Sequence, residues 1–369
     1  MRAGSLRALR VSHSSVVTTW RQRDREMRAR GTDVRLVVAK KWDEGGSEVA
    51  YDGSDVGFTV PVAVLGRHPN LFAFDPRPLW RIMKDGPWDV IDFHEEPYSL
   101  AMAELLVLRA LRARGAPFLV YSAQNLDKRF PAPFRWIERR ALAEAAGAYV
   151  CNAEAGRILR RKGLRGELRV IPLGVDVDRF RPSDRSPPEG TLRVGYVGRL
   201  APHKGVDVLL EAVAHDPCLH LELIGSGPDA DRLAERARRL GVSDRARFRG
   251  FTSQDELPGR YRDLDVLAVP SVPTPAWTEQ FCRVAVEAMA SGVPVVASDT
   301  GALPEVVGDA GLLVAPGDPV ALRLALRRVV DEPGLWARLR AAGLARVGSF
   351  TWATVAEAHL DLYKTVAKP

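Results

Sequence analysis

Short apolar runs alternate with amphipathic stretches along most of the chain. In the first half the apolar runs are residues 8–12, 34–39, 60–65, 89–93, 118–123 and 148–151. Amphipathic stretches at 20–30, 100–114 and 134–146 lie between several of them. Short apolar runs without a polar face suit strands covered on both sides, and their alternation with helices predicts parallel sheets. The segment 182–190, Pro-Ser-Asp-Arg-Ser-Pro-Pro-Glu-Gly, interrupts the pattern. It has too little apolar surface to bury and too many breakers for a ladder, so it reads as a linker. The alternation restarts at 192–198 and continues through 219–224, 246–249, 266–269, 293–297 and 312–314; a helical tail follows at 319–331, 333–347 and 352–366. The pattern therefore predicts two α/β domains, 1–181 and 191–349, each a doubly wound parallel sheet, with the linker at 182–190. Ligands of open α/β sheets bind at the carboxyl ends of the strands, so a cleft between the halves is expected.

Composition narrows the classes. A chain of 369 residues suits two or three domains. Its 46% apolar and 27% charged residues are those of an ordinary globular protein. No apolar run approaches the roughly 18 residues that span a bilayer, and basic residues 1–10 are followed by no apolar signal region. Cys151, Cys218 and Cys282 are too scattered for a disulfide framework or a metal spacing. A reducing, cytoplasmic setting is expected. The net charge of +7 would draw the chain to anionic membranes or phosphorylated substrates. No basic run carries interleaved aromatics, so nucleic acid is not an expected partner.

The candidate chemistry is concentrated in the second half. Glu279 and Glu287 stand eight positions apart around the start of an apolar helix. At about 1.5 Å per residue they are separated by roughly 12 Å along its axis. A nucleotide-diphosphate-sugar has hydroxyls at both ends and a dianion between, so each carboxylate suits one end and the helix N-terminus suits the phosphates; a salt-bridged helix face is the structural alternative. Upstream, Gly198-Arg199-Leu-Ala-Pro-His203-Lys204-Gly205 places two cations and two glycines just before a helix, an arrangement that favours a diphosphate. Gly225-Ser-Gly227-Pro-Asp-Ala230 reads alone as a G-x-G-x-x-A dinucleotide loop. It follows the second strand of its half rather than the first, and the next strand, 246–249, ends without an acidic residue for a ribose.

The order of these motifs resembles that of retaining glycosyltransferases with the GT-B fold, the family 4 (glycosyl transferases group 1) type. The match is closest from about Arg193 to Asp318. The resemblance implies two Rossmann-like domains, with the last helix, within 350–369, packing back on the first. It assigns Arg199, Lys204 and Glu279 to catalysis: the cations neutralise the leaving nucleotide diphosphate, and Glu279 binds donor-sugar hydroxyls. It assigns Glu287 to the ribose. Gly198, Gly225 and Gly227 shape the donor site, and Arg249, Gly250 and Phe251 lie where the family contacts the base. The family's usual Glu-Gly-Phe-Gly is here Glu279-Gln280-Phe281-Cys282, so the sugar end should differ from that of relatives. Thr300-Gly301 stands where the family often has a Gly-Gly-x-x-Glu variant.

The first half is expected to bind the acceptor. The Gly-Gly pair that many relatives carry after the first strand is replaced by His13-Ser14-Ser15, whose serines suit a helix cap. His94, Glu95 and Glu96 follow a strand, where carboxylates also favour a helix N-terminus. Gln124, Asn125 and Lys128 follow another; many relatives have a histidine at the position of Gln124. The implied reaction is metal-independent transfer, with retention, from a nucleotide-diphosphate-sugar, UDP before GDP, and no other cofactor. The implied acceptor is a glycan, a lipid-linked or a small-molecule hydroxyl, with peripheral membrane contact open. A nucleotide-sugar epimerase or dehydrogenase on a paired Rossmann scaffold and a non-catalytic nucleotide binder are the alternatives.

Overall fold

The structure, a computed structural model, describes residues 5–44 and 47–367. Residues 1–4 and 368–369, the ends of the first domain and of the tail, lie outside the described residues. The chain divides into two compact units, Met1–Gly174 with Trp352–Pro369, and Val175–Thr351.

The first unit is built on a seven-stranded parallel sheet. Its strands are β1 (Arg7–Ser12), β2 (Asp33–Ala39), β3 (Thr59–Val62), β4 (Val90–Phe93), β5 (Phe118–Ser122), β6 (Gly147–Val150) and β7 (Glu167–Val170), in the order β7-β6-β5-β4-β1-β2-β3. Side chains alternate across a strand. Leu9 and Val11 of β1 therefore enter one core, with Leu79, Met102 and Leu142 from helices α2 (Pro76–Lys84), α3 (Leu100–Arg112) and α4 (Phe134–Glu144). Ala8 enters the opposite core, with Met27 of α1 (Gln22–Ala29) and Val355, Leu362 and Tyr363 of the C-terminal helix Trp352–Val366. Ser99 caps α3, its Oγ accepting from Met102 N at 3.1 Å; Asn152 Oδ1 accepts from Ala155 N at 2.8 Å to cap α5 (Ala153–Arg161).

The second unit has six parallel strands: β8 (Leu192–Val197), β9 (Leu219–Ile224), β10 (Ala246–Gly250), β11 (Val266–Val269), β12 (Val295–Ser298) and β13 (Gly311–Val314). Their order is β10-β9-β8-β11-β12-β13. Helices α6 (Val206–Ala214) and α7 (Ala230–Arg239) contribute Leu209, Leu210 and Leu233 to its core, and α8 (Leu257–Arg262) buries Leu257 and Tyr261. No helix among the described residues is long and apolar enough to cross a membrane.

The structure differs from the sequence expectation in several places. The chain passes into the second unit at Val175, ahead of the expected linker. The segment 182–190 is held down rather than free: Arg185 Nη1 donates to the carbonyls of Leu264 at 2.7 Å and Arg262 at 2.9 Å, and Arg340 Nη2 donates to Ser183 O at 2.7 Å. The expected strand 60–65 is two: β3, and a short strand Val64–Leu65 that pairs antiparallel with Ala73–Phe74. The expected helix 20–30 begins as a 3₁₀ turn, Thr18–Arg21, before α1.

The C-terminal helix is fixed to the first unit by a buried polar cluster. Asp92 accepts from Tyr149 OH at 2.8 Å and from Tyr363 OH at 2.6 Å, with Arg10 Nε 3.3 Å away. His359 Nε2 lies 2.7 Å from Arg23 Nη1. Tyr363→Phe leaves a fully buried carboxylate short of one donor, and should lower stability by about 1–3 kcal/mol in chemical denaturation. An unchanged midpoint would show that the cluster does not hold the helix.

Candidate functional site

The carboxyl ends of β8, β9 and β11 in the second unit carry the donor-side candidates. The loop after β8 starts at Gly198, whose N–H donates to Ile224 O at 3.0 Å. Gly225 follows β9 with φ +141°, and a Cβ there would lie 1.9 Å from Gly198 O. The two loops therefore meet backbone to backbone, which only glycine permits. Gly227 adjoins the same loop, next to the carbonyl of Leu200.

Pro202–Lys204 forms a 3₁₀ turn that ends at Gly205, φ +68°, where a Cβ would lie 1.9 Å from Pro270 O. This close approach to the end of β11 sets Lys204. Its Nζ donates to Glu279 Oε1 at 2.7 Å and lies 4.5 Å from the centre of the Trp277 ring. Ser271 Oγ donates to the same Glu279 oxygen at 2.8 Å. The Glu279 side chain is 8% exposed and that of Lys204 25%. Arg199 is exposed, with no ion pair among the described residues. Because Lys204 and Glu279 cancel, Arg199 supplies the net positive charge of this loop.

Glu279 lies before helix α9 (Arg283–Ala290), not on it, so the two glutamates do not share a helix face. Its backbone is held by the loop after β12: Ala302 N donates to Glu279 O at 2.9 Å, and a Cβ on Gly301 would lie 2.3 Å from that oxygen. Thr300 Oγ1 is 3.4 Å from Thr278 Oγ1. Thus Thr300 and Gly301 brace the glutamate loop from behind. Glu287 is buried within α9, where Tyr261 OH donates to Oε2 at 2.9 Å and Arg283 Nε lies 3.0 Å from Oε1. Part of the salt-bridged helix-face alternative is therefore present.

Cys282 caps α9 in the left-handed region, φ +74°, where glycine is the unstrained choice. Burial, then the Glu279 carboxylate, pushes its thiol well above the usual range, so it is a neutral packing group. Gln280 is exposed, and Phe281 is buried edge-on to Phe350 at 5.8 Å. Arg249 is taken up by Glu222, its Nη2 donating to Oε1 at 3.1 Å. The end of β10 thus carries no carboxylate for a ribose. Gly250 O accepts from Gly225 N at 2.8 Å, which brings Phe251, 76% exposed, beside the glycine loop.

In the first unit, the ends of β1, β4 and β5 gather the other candidates. His13 N donates to Glu95 Oε1 at 2.8 Å, and His13 Nδ1 is 2.6 Å from Oε2. The imidazole rests on Trp42 and Phe72 at 4.4 and 4.9 Å. The turn His13–Val16 is capped by Ser12 rather than by Ser14 or Ser15; Ser14 Oγ instead lies 3.1 Å from Ser12 Oγ. His94 Nδ1 is 2.7 Å from Tyr149 OH. That hydroxyl gives its proton to Asp92, so His94 Nδ1 carries the hydrogen between them. Burial, then Arg23, lowers the His94 pKa well below its ordinary value, so the ring is neutral. Glu96 accepts from Ser122 Oγ at 2.7 Å and Ala123 N at 2.9 Å. Gln124 Oε1 accepts from Leu126 N at 3.1 Å, Asn125 is buried, and Lys128 O accepts from Lys162 Nζ at 2.8 Å. No group of three or more His, Cys, Asp or Glu side chains suited to a metal ion occurs among the described residues.

The comparisons accord with this geometry. Residues 178–346 match the family described as Glycosyl transferases group 1, and residues 16–179 match Glycosyltransferase Family 4. The chain belongs to the family 4, group 1 glycosyltransferases. It is 36% identical over 256 residues to the D-inositol 3-phosphate glycosyltransferase of Streptomyces bingchenggensis, covering 62% of this chain and 55% of the relative. The enzyme of the same name from Corynebacterium jeikeium is 38% identical over 220 residues, 53% of this chain and 51% of the relative. The chain thus spans about half the length of these curated relatives. Among solved structures, sucrose-phosphate synthase of Thermosynechococcus elongatus aligns with a TM-score of 0.71 at 23% identity, covering 98% of this chain and 99% of that one. HepE of Anabaena in complex with UDP aligns at 0.74 with 19% identity, covering 98% and 100%. These likenesses show the GT-B fold.

Ser271, Tyr261 and Trp277, which brace the two glutamates and Lys204, were not legible in the sequence; only Trp277, two residues before Glu279, stood close enough to hint at its role.

Burial pushes the Glu96 carboxyl up from 4.5 to about 7. A raised carboxyl confers stability that is full below pH 4.5 and is lost as pH rises through about 7. Glu96→Gln should therefore raise the melting temperature at about pH 8 and leave it nearly unchanged at about pH 4. A gain of equal size at both pH values would contradict this.

Proposed function

We propose that this protein transfers a glycosyl group, with retention, from a UDP-sugar to an acceptor hydroxyl, without a metal ion. The observation that carries the reading is the Lys204–Glu279 pair on the glycine-lined loop beside exposed Arg199. A departing diphosphate needs charge stabilisation more than protonation. Lys204 and Arg199 stand as two cations at one strand edge, and Glu279 beside them is the carboxylate that receives a sugar hydroxyl. Glu287, braced by Tyr261, is the ribose ligand, and Phe251 is an exposed ring on which a base can stack.

Binding to UDP and to UDP-glucose in the HepE structures supports uridine as the base. The named activity of the curated relatives makes a polyol phosphate the first acceptor to try, ahead of glycans and lipid-linked sugars. The His13–Glu95 pair, His94, Gln124, Asn125 and Lys128 are the acceptor-side groups. In retention by front-face displacement, the departing phosphate takes the acceptor proton, so no carboxylate base is required.

Nucleotides that bind only the folded protein raise its melting temperature. UDP should do so more than GDP. Lys204→Ala should abolish the shift, and should be worse than Arg199→Ala, because it leaves the buried Glu279 carboxylate unpaired and facing the phosphates. Losing a charge-assisted contact to the phosphates costs about 1.5–3 kcal/mol, roughly 10- to 100-fold in affinity. Equal, small losses in both variants would refute the donor site. Turnover of a UDP-sugar should be unchanged by a chelator; abolition by chelation and recovery on adding a divalent ion would refute metal independence.

A further inference from the structure

The two tryptophans exposed among the described residues, Trp80 and Trp136, lie in one helical layer of the first unit. Helices α2, α3 and α4 bury Leu79, Met102 and Leu142 in the same core, so their opposite sides form one outer face. α3 lies in the middle, in contact with both α2 and α4. It turns Val107 and Leu111, one helical turn apart and 58% and 63% exposed, to solvent. Trp80 flanks them on α2, with Arg112 of α3 stacked 4.2 Å above its ring; Trp136, 61% exposed, flanks them on α4.

The polar groups around this apolar strip are mainly cationic. Arg81 and Lys84 on α2, Arg114 after α3, and Arg135 and Arg139 on α4 are exposed, and none has an ion pair among the described residues. On α4 the exposed positions 135, 136, 139 and 140 form one stripe at helical spacing. An aqueous face gains nothing from two indoles and two aliphatic side chains held among unpaired cations. A bilayer surface uses all of them: indole and leucine enter the headgroup boundary, and guanidinium and ammonium groups meet anionic phosphates.

We propose that the outer face of α2, α3 and α4 docks on an anionic lipid surface. Charge complementarity selects that occupant over a neutral bilayer or a second copy of this chain, whose identical face would repel it. The face uses none of the donor-site residues, so lipid binding and nucleotide binding are separable.

The test is co-sedimentation of the full chain with vesicles of phosphatidylcholine alone or mixed equally with phosphatidylglycerol. Binding to the mixed vesicles should exceed binding to the neutral ones by at least about 10-fold and should fall as salt is raised. The double variant Trp136→Ser/Arg139→Glu should cut binding to the mixed vesicles at least about 10-fold while keeping the wild-type melting temperature and its shift with UDP. Lys364→Glu, a charge reversal on the C-terminal helix across the sheet, should leave lipid binding unchanged. The proposal is overturned if both vesicle types bind equally or neither binds, or if Lys364→Glu is as damaging as the double variant. A dimer in sedimentation velocity that the double variant dissolves would assign the face to a second copy instead.

Discussion

The strand ends of the second unit are organised around one partly buried ion pair. Lys204 and Glu279 are 75 residues apart in sequence and meet at 2.7 Å because three unrelated loops converge on them. A pair of this kind is stable only when its geometry is held and its remaining polar atoms are satisfied. Ser271 satisfies the shared oxygen, Ala302 holds the glutamate backbone, and the turn at Gly205 brings the lysine against the end of β11. The pair keeps two opposite charges fixed at the strand edge.

The two units solve a similar problem with different chemistry. In the second, cations and a carboxylate stand on loops between parallel strands. In the first, buried carboxylates stand behind polar groups: Glu95 behind His13, and Asp92 behind Tyr149 and through it His94. Each fixes the orientation of a ring at the carboxyl end of a strand. The last helix takes part, because Tyr363 shares Asp92 with Tyr149.

Central strands were legible because they are buried on both faces and read as unbroken apolar runs. β7 was not, since as an edge strand it has half-buried Glu167 and Leu168 followed by exposed Arg169 and Val170, and no such run. α2 was hidden by its Pro-Arg-Pro start, although Asp75 caps it and proline suits a first turn. The boundary at 174–175 was missed because the proline-rich segment after it looks free in sequence, while the groups that tie it down, Arg340, Asp265 and the carbonyls of 262 and 264, are distant along the chain. The basic loop and both glutamates could be read from their types and spacing. Their supports could not, because Ser271 and Tyr261 carry no local signature and act through contacts that form only on folding.

The glycines of the donor loops have a consequence for how this chain can vary. At Gly205, Gly225 and Gly301 the obstacle is a backbone oxygen 1.9–2.3 Å from where any Cβ would sit. Every other amino acid brings that atom, so these codons have no tolerated neighbour, whatever the side chain's chemistry. The Glu222–Arg249 pair a few residues away is on the surface and open to exchange. Sequence drift in this part of the fold is therefore channelled: the backbone path of these loops stays fixed while surface charges beside it are free to change partners.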